Sequence, residues 1–219
     1  LGDVYKRQIW DRAKEAGIDY RSYGEFIQNA AKVGQPGKAK VKGLEGHFDP
    51  LFRSYDLAYR DVDRAKRFIE ELKQYEEKGE YPRLVILRLP NDHTSGTALG
   101  ARTPIAMVAD NDLALGQVVE ALSQSKFWKE MAIFVVEDDA QNGSDHVDAH
   151  RTVALAISPY IRRGTVDSTM YSTASMLRSM ELILGLKPMT QFDAAAMPMY
   201  GSFHGKLDAS PYKHRAANV

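Results

Sequence analysis

Apolar positions along this chain recur either at helical spacing or in short unbroken runs, and each such segment ends at a glycine, a proline or a polar loop. Helical spacing predicts amphipathic α-helices, whereas short apolar runs predict buried strands. The predicted helices are residues 9–16, 61–78, 104–122 and 173–184, with Gly17 and Gly185 as left-handed caps. The predicted strands are residues 18–23, 83–89, 132–136 and 152–158.

The alternation of these elements predicts an α/β fold in which a layered sheet is flanked by helices. Strands 83–89 and 132–136 are expected to be parallel and joined by a right-handed crossover through helix 104–122. Residues 28–50 are expected to form an irregular connection, because glycine, proline and lysine are frequent there. The residues after Gln191 are expected to wrap the surface or to fray.

Two helices have apolar positions that predict the faces they bury. On helix 61–78 these positions are Val62, Ala65, Phe68, Ile69 and Leu72. On helix 104–122 they are Ile105, Val108, Leu113, Leu115, Val118, Val119 and Leu122.

Composition narrows the classes of function. The chain has 219 residues, enough for a sizeable core, and 29 basic residues balance 29 acidic ones. This balance provides no bulk positive field for nucleic acid or an anionic membrane. No apolar run approaches the roughly 18 residues that a membrane span requires. The absence of cysteine excludes disulfides and thiolate metal sites, so histidine and carboxylate are the strong metal ligands that remain.

Polar clusters follow two of the predicted strands. The sequence NDHT, residues 91–94, comes after strand 83–89, and EDDAQNGSDHVDAH, residues 137–150, comes after strand 132–136. If the strands are parallel, both loops open at the same edge of the sheet. Carboxylate oxygens and imidazole nitrogens are ligands of divalent metals. The pattern therefore predicts a metal site formed by Asp92, His93, Asp138, Asp139 and His146.

The two adjacent acids impose a geometric condition on this site. Neighbouring strand residues point to opposite faces, so Asp138 and Asp139 can bind one ion only if the chain has already turned at Glu137 or Asp138. Gly143 nearby makes such a turn accessible.

Other interpretations of these loops use fewer of their residues. An Asp-His pair is often a turn-former beside a surface histidine. The acidic triplet is also similar to that of nucleotide-sugar transferases, which would require a nucleotide-binding loop that the sequence lacks and would not use the histidines. A calcium loop beginning at Asp138 is excluded, because Ala140 and Ala149 occupy ligand positions.

Several segments together resemble a known family. The segments are RLPNDHTSGT, TPIAMVADNDLALGQVVEALSQSKFW, IFVVEDDAQNGSDHVDAHRT, LAISPYIRRG and SMLRSMELILGL. In this order they resemble the carboxyl-terminal half of the phosphoesterase family that groups bacterial phospholipase C and acid phosphatases, within the alkaline phosphatase superfamily. The resemblance covers residues 9–199. It implies an alkaline-phosphatase-like layered sheet, hydrolysis of phosphate mono- or diesters through a phosphoenzyme, and a periplasmic or secreted bacterial location.

The resemblance also assigns roles to individual residues. Asp138 and Asp139 match the family's acidic metal pair, and His93 matches a histidine that binds metal or phosphoryl oxygens. His146 lies in the family's Asp-His-Val element and is expected to act as a ligand or an acid. His93 and His146 are thus the candidate catalytic residues, and the divalent metal is expected to be zinc, manganese or calcium.

The family's nucleophilic serine or threonine lies upstream of the matching segment, and Thr94 and Ser95 fall at other positions. We therefore expect the amino-terminal part of the domain to be missing and the fragment alone to be inactive. Residues 1–8 are expected to be a non-native leader from adapter read-through, 9–200 the distal part of the phosphoesterase domain, and 201–219 a tail. A natural helix start is the alternative for the leader, and a noncatalytic metal-binding or interaction module is the alternative function.

Overall fold

The computed structural model describes residues 8–138 and 150–218. The chain divides into two compact units. The first unit contains residues 13–126 and 211–218, and the second contains residues 8–12 and 127–210 apart from the segment 139–149. The described helices are α1 (Ile9–Glu15), α2 (Asp61–Lys78), α3 (Pro104–Gln124), α4 (Thr173–Leu184) and α5 (Gln191–Ala195). The described strands are β1 (Tyr20–Tyr23), β2 (Ile27–Gln28), β3 (Lys38–Ala39), β4 (Leu84–Leu87), β5 (Ile133–Val136) and β6 (Ala154–Ile157).

The first unit is built around a parallel pair of strands. β1 and β4 pair from Tyr20 opposite Leu84 to Tyr23 opposite Leu87, and α2 lies between them in the sequence. The ring of Tyr23 is fully buried and makes edge contacts with Phe52 and Phe68. Aromatic burial of this kind stabilises the strand pair against α2.

The helix faces of the first unit differ in part from the expected ones. On α3, Ile105 is 70% exposed and Val108 is 47% exposed, whereas Met107, Asp110 and Ala114 are buried. A polar residue can occupy the buried face when its hydrogen bonds are satisfied there. The buried face can include the Asp110 carboxylate because Asp61 N–H and the Asn91 amide donate hydrogen bonds to it.

The second unit contains the antiparallel pair β5 and β6, in which Ile133 lies opposite Ile157 and Val136 opposite Ala154. Helix α4 begins with a capping box between Ser172 and Ser175. It ends at Gly185, whose positive φ of 70° is favourable only for glycine.

The expected pairing of strands 83–89 and 132–136 is not formed by the ladders in the described residues. β4 pairs in parallel with β1, and β5 pairs antiparallel with β6. An apolar run specifies a buried strand but carries little information about which neighbour satisfies its backbone hydrogen bonds. The mixed helix and strand content is nevertheless that of the α/β class predicted from the sequence.

The end of the chain lies on the first unit. The backbone N–H of Tyr212 donates to Ser123 Oγ at 2.9 Å, and that of His214 donates to Glu120 Oε2 at 2.9 Å. The His214 ring also contacts Glu120. In residues 8–138 and 150–218, no helix has the length and apolar character needed to cross a membrane.

Candidate functional site

A tight turn follows β4 and contains the first two predicted site residues. Arg88 N–H donates to the Tyr23 carbonyl at 3.0 Å, which extends the ladder one residue beyond β4. After Pro90, residues Asn91–His93 form one turn of 3-10 helix. The turn therefore presents Asp92 and His93 at the carboxyl end of the parallel pair.

Asn91 is fully buried and anchors this turn. Its backbone N–H donates to Asp61 Oδ2 at 2.9 Å, and its side-chain amide donates to Asp110 Oδ2 at 3.0 Å and to the Tyr59 carbonyl at 3.1 Å. Asp61 N–H also donates to Asp110 Oδ2 at 2.7 Å. The starts of α2 and of the turn are thus connected to one carboxylate on α3.

A buried ion pair completes the anchor. Arg64 Nη1 lies 2.8 Å from Asp61 Oδ1, and both side chains are fully excluded from solvent. The guanidinium also donates to the carbonyls of Arg53, Ser54, Asp56 and Tyr59. A buried charge pair is tolerated only when such additional hydrogen bonds satisfy its remaining donors.

The two carboxylates of this network have opposite pKa shifts. Burial raises the pKa of Asp61 even though Asn91, Arg64 and Asn111 oppose the rise. Burial also acts on Asp110, but hydrogen bonds from Asp61 N–H, Asn91 and the nearby arginines outweigh it and lower that pKa. The hydrogen bonds that Asp110 accepts therefore stabilise its ionised form, whereas burial disfavours the ionised form of Asp61.

Asn111 connects the anchor to Asp92. Its side-chain amide donates to Asp61 Oδ2 at 3.0 Å and to the Leu89 carbonyl at 2.8 Å, and it reaches Asp92 Oδ1 at 3.5 Å. One amide group thus contacts the buried network, the end of the strand segment and a predicted metal ligand. This arrangement restricts where the Asp92 carboxylate can lie.

The ring of His93 is oriented by its own turn. His93 Nδ1 lies 3.0 Å from the Thr94 carbonyl oxygen, and this bond selects the tautomer in which Nδ1 carries the proton. Nε2 then carries the lone pair that can bind a metal or accept a proton. The ring also makes an edge contact with Tyr55, with 5.6 Å between centroids.

Thr94 adopts a backbone conformation that is normally restricted to glycine. Its φ is 59° and its ψ is 172°. A β-branched residue in this region costs on the order of 1–3 kcal/mol, and such strain is concentrated at functional sites. In this turn the strained residue is the one whose carbonyl accepts the bond from His93.

The predicted ligands of the second unit are only partly described. Asp138 follows β5, is exposed and lies at a bend of the chain. Glu137 N–H donates to the Val153 carbonyl at 3.1 Å, and its carboxylate accepts from Thr152 at 3.0 Å. Asp139 and His146 lie outside the described residues.

The donor types at the Asn91–His93 turn suit a divalent cation. Asp92 offers carboxylate oxygen, and His93 offers an Nε2 lone pair whose direction is set by the Nδ1 bond. Within residues 8–138 and 150–218, no cluster of three or more histidine or acidic side chains has the geometry of a metal site. A shell formed with Asp138, Asp139 and His146 therefore stays a prediction.

Sequence reasoning did not identify the residues that anchor the turn. They are Asp61, Arg64, Asn91, Asp110 and Asn111. The sequence feature that could have revealed them is the presence of charged residues on otherwise apolar helix faces. Asp61 and Arg64 lie three residues apart on α2, and Asp110 occupies a buried position of α3.

Comparison with known protein families shows which family this chain belongs to. The model of the Phosphoesterase family matches residues 3–187, which include both the turn after β4 and the predicted metal ligands that follow β5 in the sequence. No curated protein matches the sequence. Because the family match covers most of the sequence in one continuous stretch, the chain belongs to the phosphoesterase family.

Proposed function

We propose that this chain is the distal part of a metal-dependent phosphoesterase of the alkaline phosphatase superfamily, of the phospholipase C and acid phosphatase type. The observation that carries the proposal is the continuous family match over residues 3–187. The reaction is hydrolysis of phosphate mono- or diesters through a covalent phosphoenzyme. Phosphoryl transfer of this kind depends mainly on positioning and charge neutralisation.

His93 is the described residue with the clearest role in this proposal. Its Nδ1 bond to Thr94 leaves Nε2 to contact the metal or the phosphoryl group. The buried network through Asn91 fixes the turn, so the imidazole is offered on a rigid support. Rigid support matters because misplacement by about 1 Å can cost two orders of magnitude in rate.

The proposed metal ligands are those predicted from the sequence: Asp92, His93, Asp138, Asp139 and His146. Carboxylate and imidazole ligands are compatible with zinc or manganese, and the carboxylates with calcium. When bound, the ion would neutralise charge on the phosphoryl oxygens. His146 is the proposed second catalytic residue, as a ligand or an acid.

The nucleophile is proposed to come from sequence outside this chain, because no serine or threonine here lies at the family's nucleophile position. Thr94 is the nearest alternative, but its hydroxyl accepts a hydrogen bond from Gly96 N–H at 3.2 Å. An incomplete ligand shell binds metal weakly. We therefore expect weak metal binding by these 219 residues and no burst of covalent phosphorylation.

The proposal is tested by titrating the chain with zinc, manganese and calcium in a calorimeter and by measuring phosphate release from an aryl phosphate. We expect the chain to bind metal weakly, the His93→Gln variant to lose this binding, and the chain not to hydrolyse the ester. Hydrolysis by the chain itself would show that the nucleophile is internal. Wild-type metal affinity in His93→Gln would exclude this histidine from the site. A longer form that includes upstream sequence, and that binds metal without hydrolysing the ester, would favour the noncatalytic alternative.

A further inference from the structure

Arg88 stands at the carboxyl end of the parallel pair, beside the turn that contains His93. Its backbone continues the ladder through the bond to Tyr23, and its side chain is 36% exposed. Arg88 has no role in the proposed metal site. Its position places a permanent positive charge at the same strand end as the candidate site.

The guanidinium makes no side-chain hydrogen bond with any residue that the structure describes. Its contacts there are the Tyr55 ring, with Cζ 5.1 Å from the centroid, and the Glu25 carboxylate, 3.6 Å away. The latter distance exceeds that of a hydrogen bond. Six other arginines of the same unit donate side-chain hydrogen bonds to the protein: Arg21, Arg53, Arg60, Arg64, Arg67 and Arg102.

Tyr55 lies between Arg88 and His93. The guanidinium lies over the tyrosine ring, within the range of a cation–π contact. The edge contact between Tyr55 and His93, with an interplanar angle of 86°, places the imidazole against the same ring. A single aromatic side chain thus contacts both a guanidinium and an imidazole.

We propose that Arg88 binds a phosphoryl oxygen of the substrate beside His93, and that Tyr55 is the positioning residue that orients both groups. This inference rests on the proposed phosphoesterase function. The planar donor arrangement of arginine fits two phosphate oxygens at once, which a lysine ammonium does not reproduce. Glu25 neutralises the guanidinium until an anion binds and competes with that anion afterwards.

The experiment measures binding of inorganic phosphate to the 219-residue chain by calorimetry at physiological ionic strength, while NMR follows the His93 ring signals. Arg88→Gln is expected to weaken phosphate binding about tenfold or more. The matched control is Arg83→Gln, which removes the same charge from an exposed residue immediately before β4, at the other end of the strand. This control is expected to bind phosphate like the wild type.

Three further substitutions, at Glu25 and Tyr55, separate the roles of these two neighbours. Glu25→Gln removes the competing carboxylate and is expected to strengthen phosphate binding by about twofold to fivefold. Tyr55→Leu is expected to weaken binding and to broaden the His93 signals, whereas Tyr55→Phe, which keeps the ring, restores both. A purely structural role for Tyr55 would change the melting temperature in both variants without this difference.

The proposed function is judged separately, by metal titration of the same variants. Arg88 is not a proposed metal ligand, so Arg88→Gln should bind manganese or zinc like the wild type while losing phosphate. Equal phosphate binding by Arg88→Gln and the wild type would overturn the role of Arg88 and leave the metal site intact. A wild-type chain that binds no phosphate at millimolar concentration, or an equal loss in Arg83→Gln, would also overturn it.

Discussion

The imidazole of His93 donates from Nδ1 to the carbonyl of Thr94, the one residue of the turn whose backbone occupies a conformation normally restricted to glycine. Orientation of the candidate ligand and strain in the backbone therefore involve the same peptide unit. Strain persists only where surrounding contacts over-determine the structure. Here the buried anchor through Asn91, Asp61 and Asp110 supplies those contacts.

Replacement of Thr94 by glycine should stabilise the fold and loosen His93. Relief of strain on the order of 1–3 kcal/mol outweighs the 0.5–1 kcal/mol that glycine loses in backbone entropy, so the free energy of unfolding should rise by about 1 kcal/mol. Denaturant unfolding measures this change. Thr97→Gly is the matched control, because Thr97 is exposed in the same loop without a positive φ. An increase of the same size in Thr97→Gly would contradict the strain assigned to Thr94.

Replacement of Arg64 by methionine should be strongly destabilising. The change leaves Asp61 buried without its cation, and breaking one side of a buried pair costs about 3–5 kcal/mol. The free energy of unfolding in urea measures the loss. Lys66→Met removes a charge from an exposed position of the same helix and should change it by about 0.5 kcal/mol or less. A loss below about 1 kcal/mol in Arg64→Met would show that the pair does not anchor the turn.

Stability should fall as the pH rises toward neutrality because of Glu181. Burial, together with the neighbouring Asp193 carboxyl, raises the pKa of Glu181 from 4.5 to about 7. The folded form therefore binds a proton that the unfolded form releases, and this contribution is complete below about pH 4.5 and is lost as the pH rises through about 7. Unfolding midpoints between pH 5 and 8 should decrease in the wild type and much less in Glu181→Gln.

Asp193 adds the opposite dependence at acidic pH. Although burial opposes the shift, hydrogen bonds from Glu181 and Thr190 lower the pKa of Asp193 from 3.8 to about 2. Its contribution is present above about pH 3.8 and is lost as the pH falls through about 2.

Glu130→Gln, at an exposed residue of the same unit, is the control for Glu181→Gln. Parallel pH curves for the wild type and Glu181→Gln would refute the assignment.

Replacement of Asp138 by asparagine should weaken metal binding about tenfold or more with little change in the melting temperature of the metal-free chain. Asp138 is exposed, so removing its charge does not disturb a core. Calorimetric titration with manganese or zinc measures the loss. Asp112→Asn makes the same chemical change at an exposed residue of α3 and should leave the affinity unaltered. Unchanged affinity in Asp138→Asn would remove this residue from the proposed site.

The local elements were determined by the sequence to a large extent. Helices α2 and α4 begin and end at the predicted residues, because apolar spacing marks their faces and Gly79 and Gly185 adopt the left-handed cap. Segments 83–89 and 132–136 were also predicted as strands, and their observed cores are β4 and β5. Each of these features depends on residues near one another in the chain, so a short window of sequence contains the necessary information.

Strand partners and the anchor of the turn were decided only by tertiary structure. Any apolar strand can satisfy the backbone of another, so β4 pairs with β1 for reasons that its own residues do not encode. Asp61, Arg64 and Asp110 are residue types that usually lie at the surface, yet they are buried because segments distant in sequence supply their hydrogen bonds. The sequence alone thus determined that Asp92 and His93 follow a strand, and the bond that orients the His93 ring is made to the next residue. Long-range packing determined that Tyr55 contacts both the His93 ring and the Arg88 guanidinium.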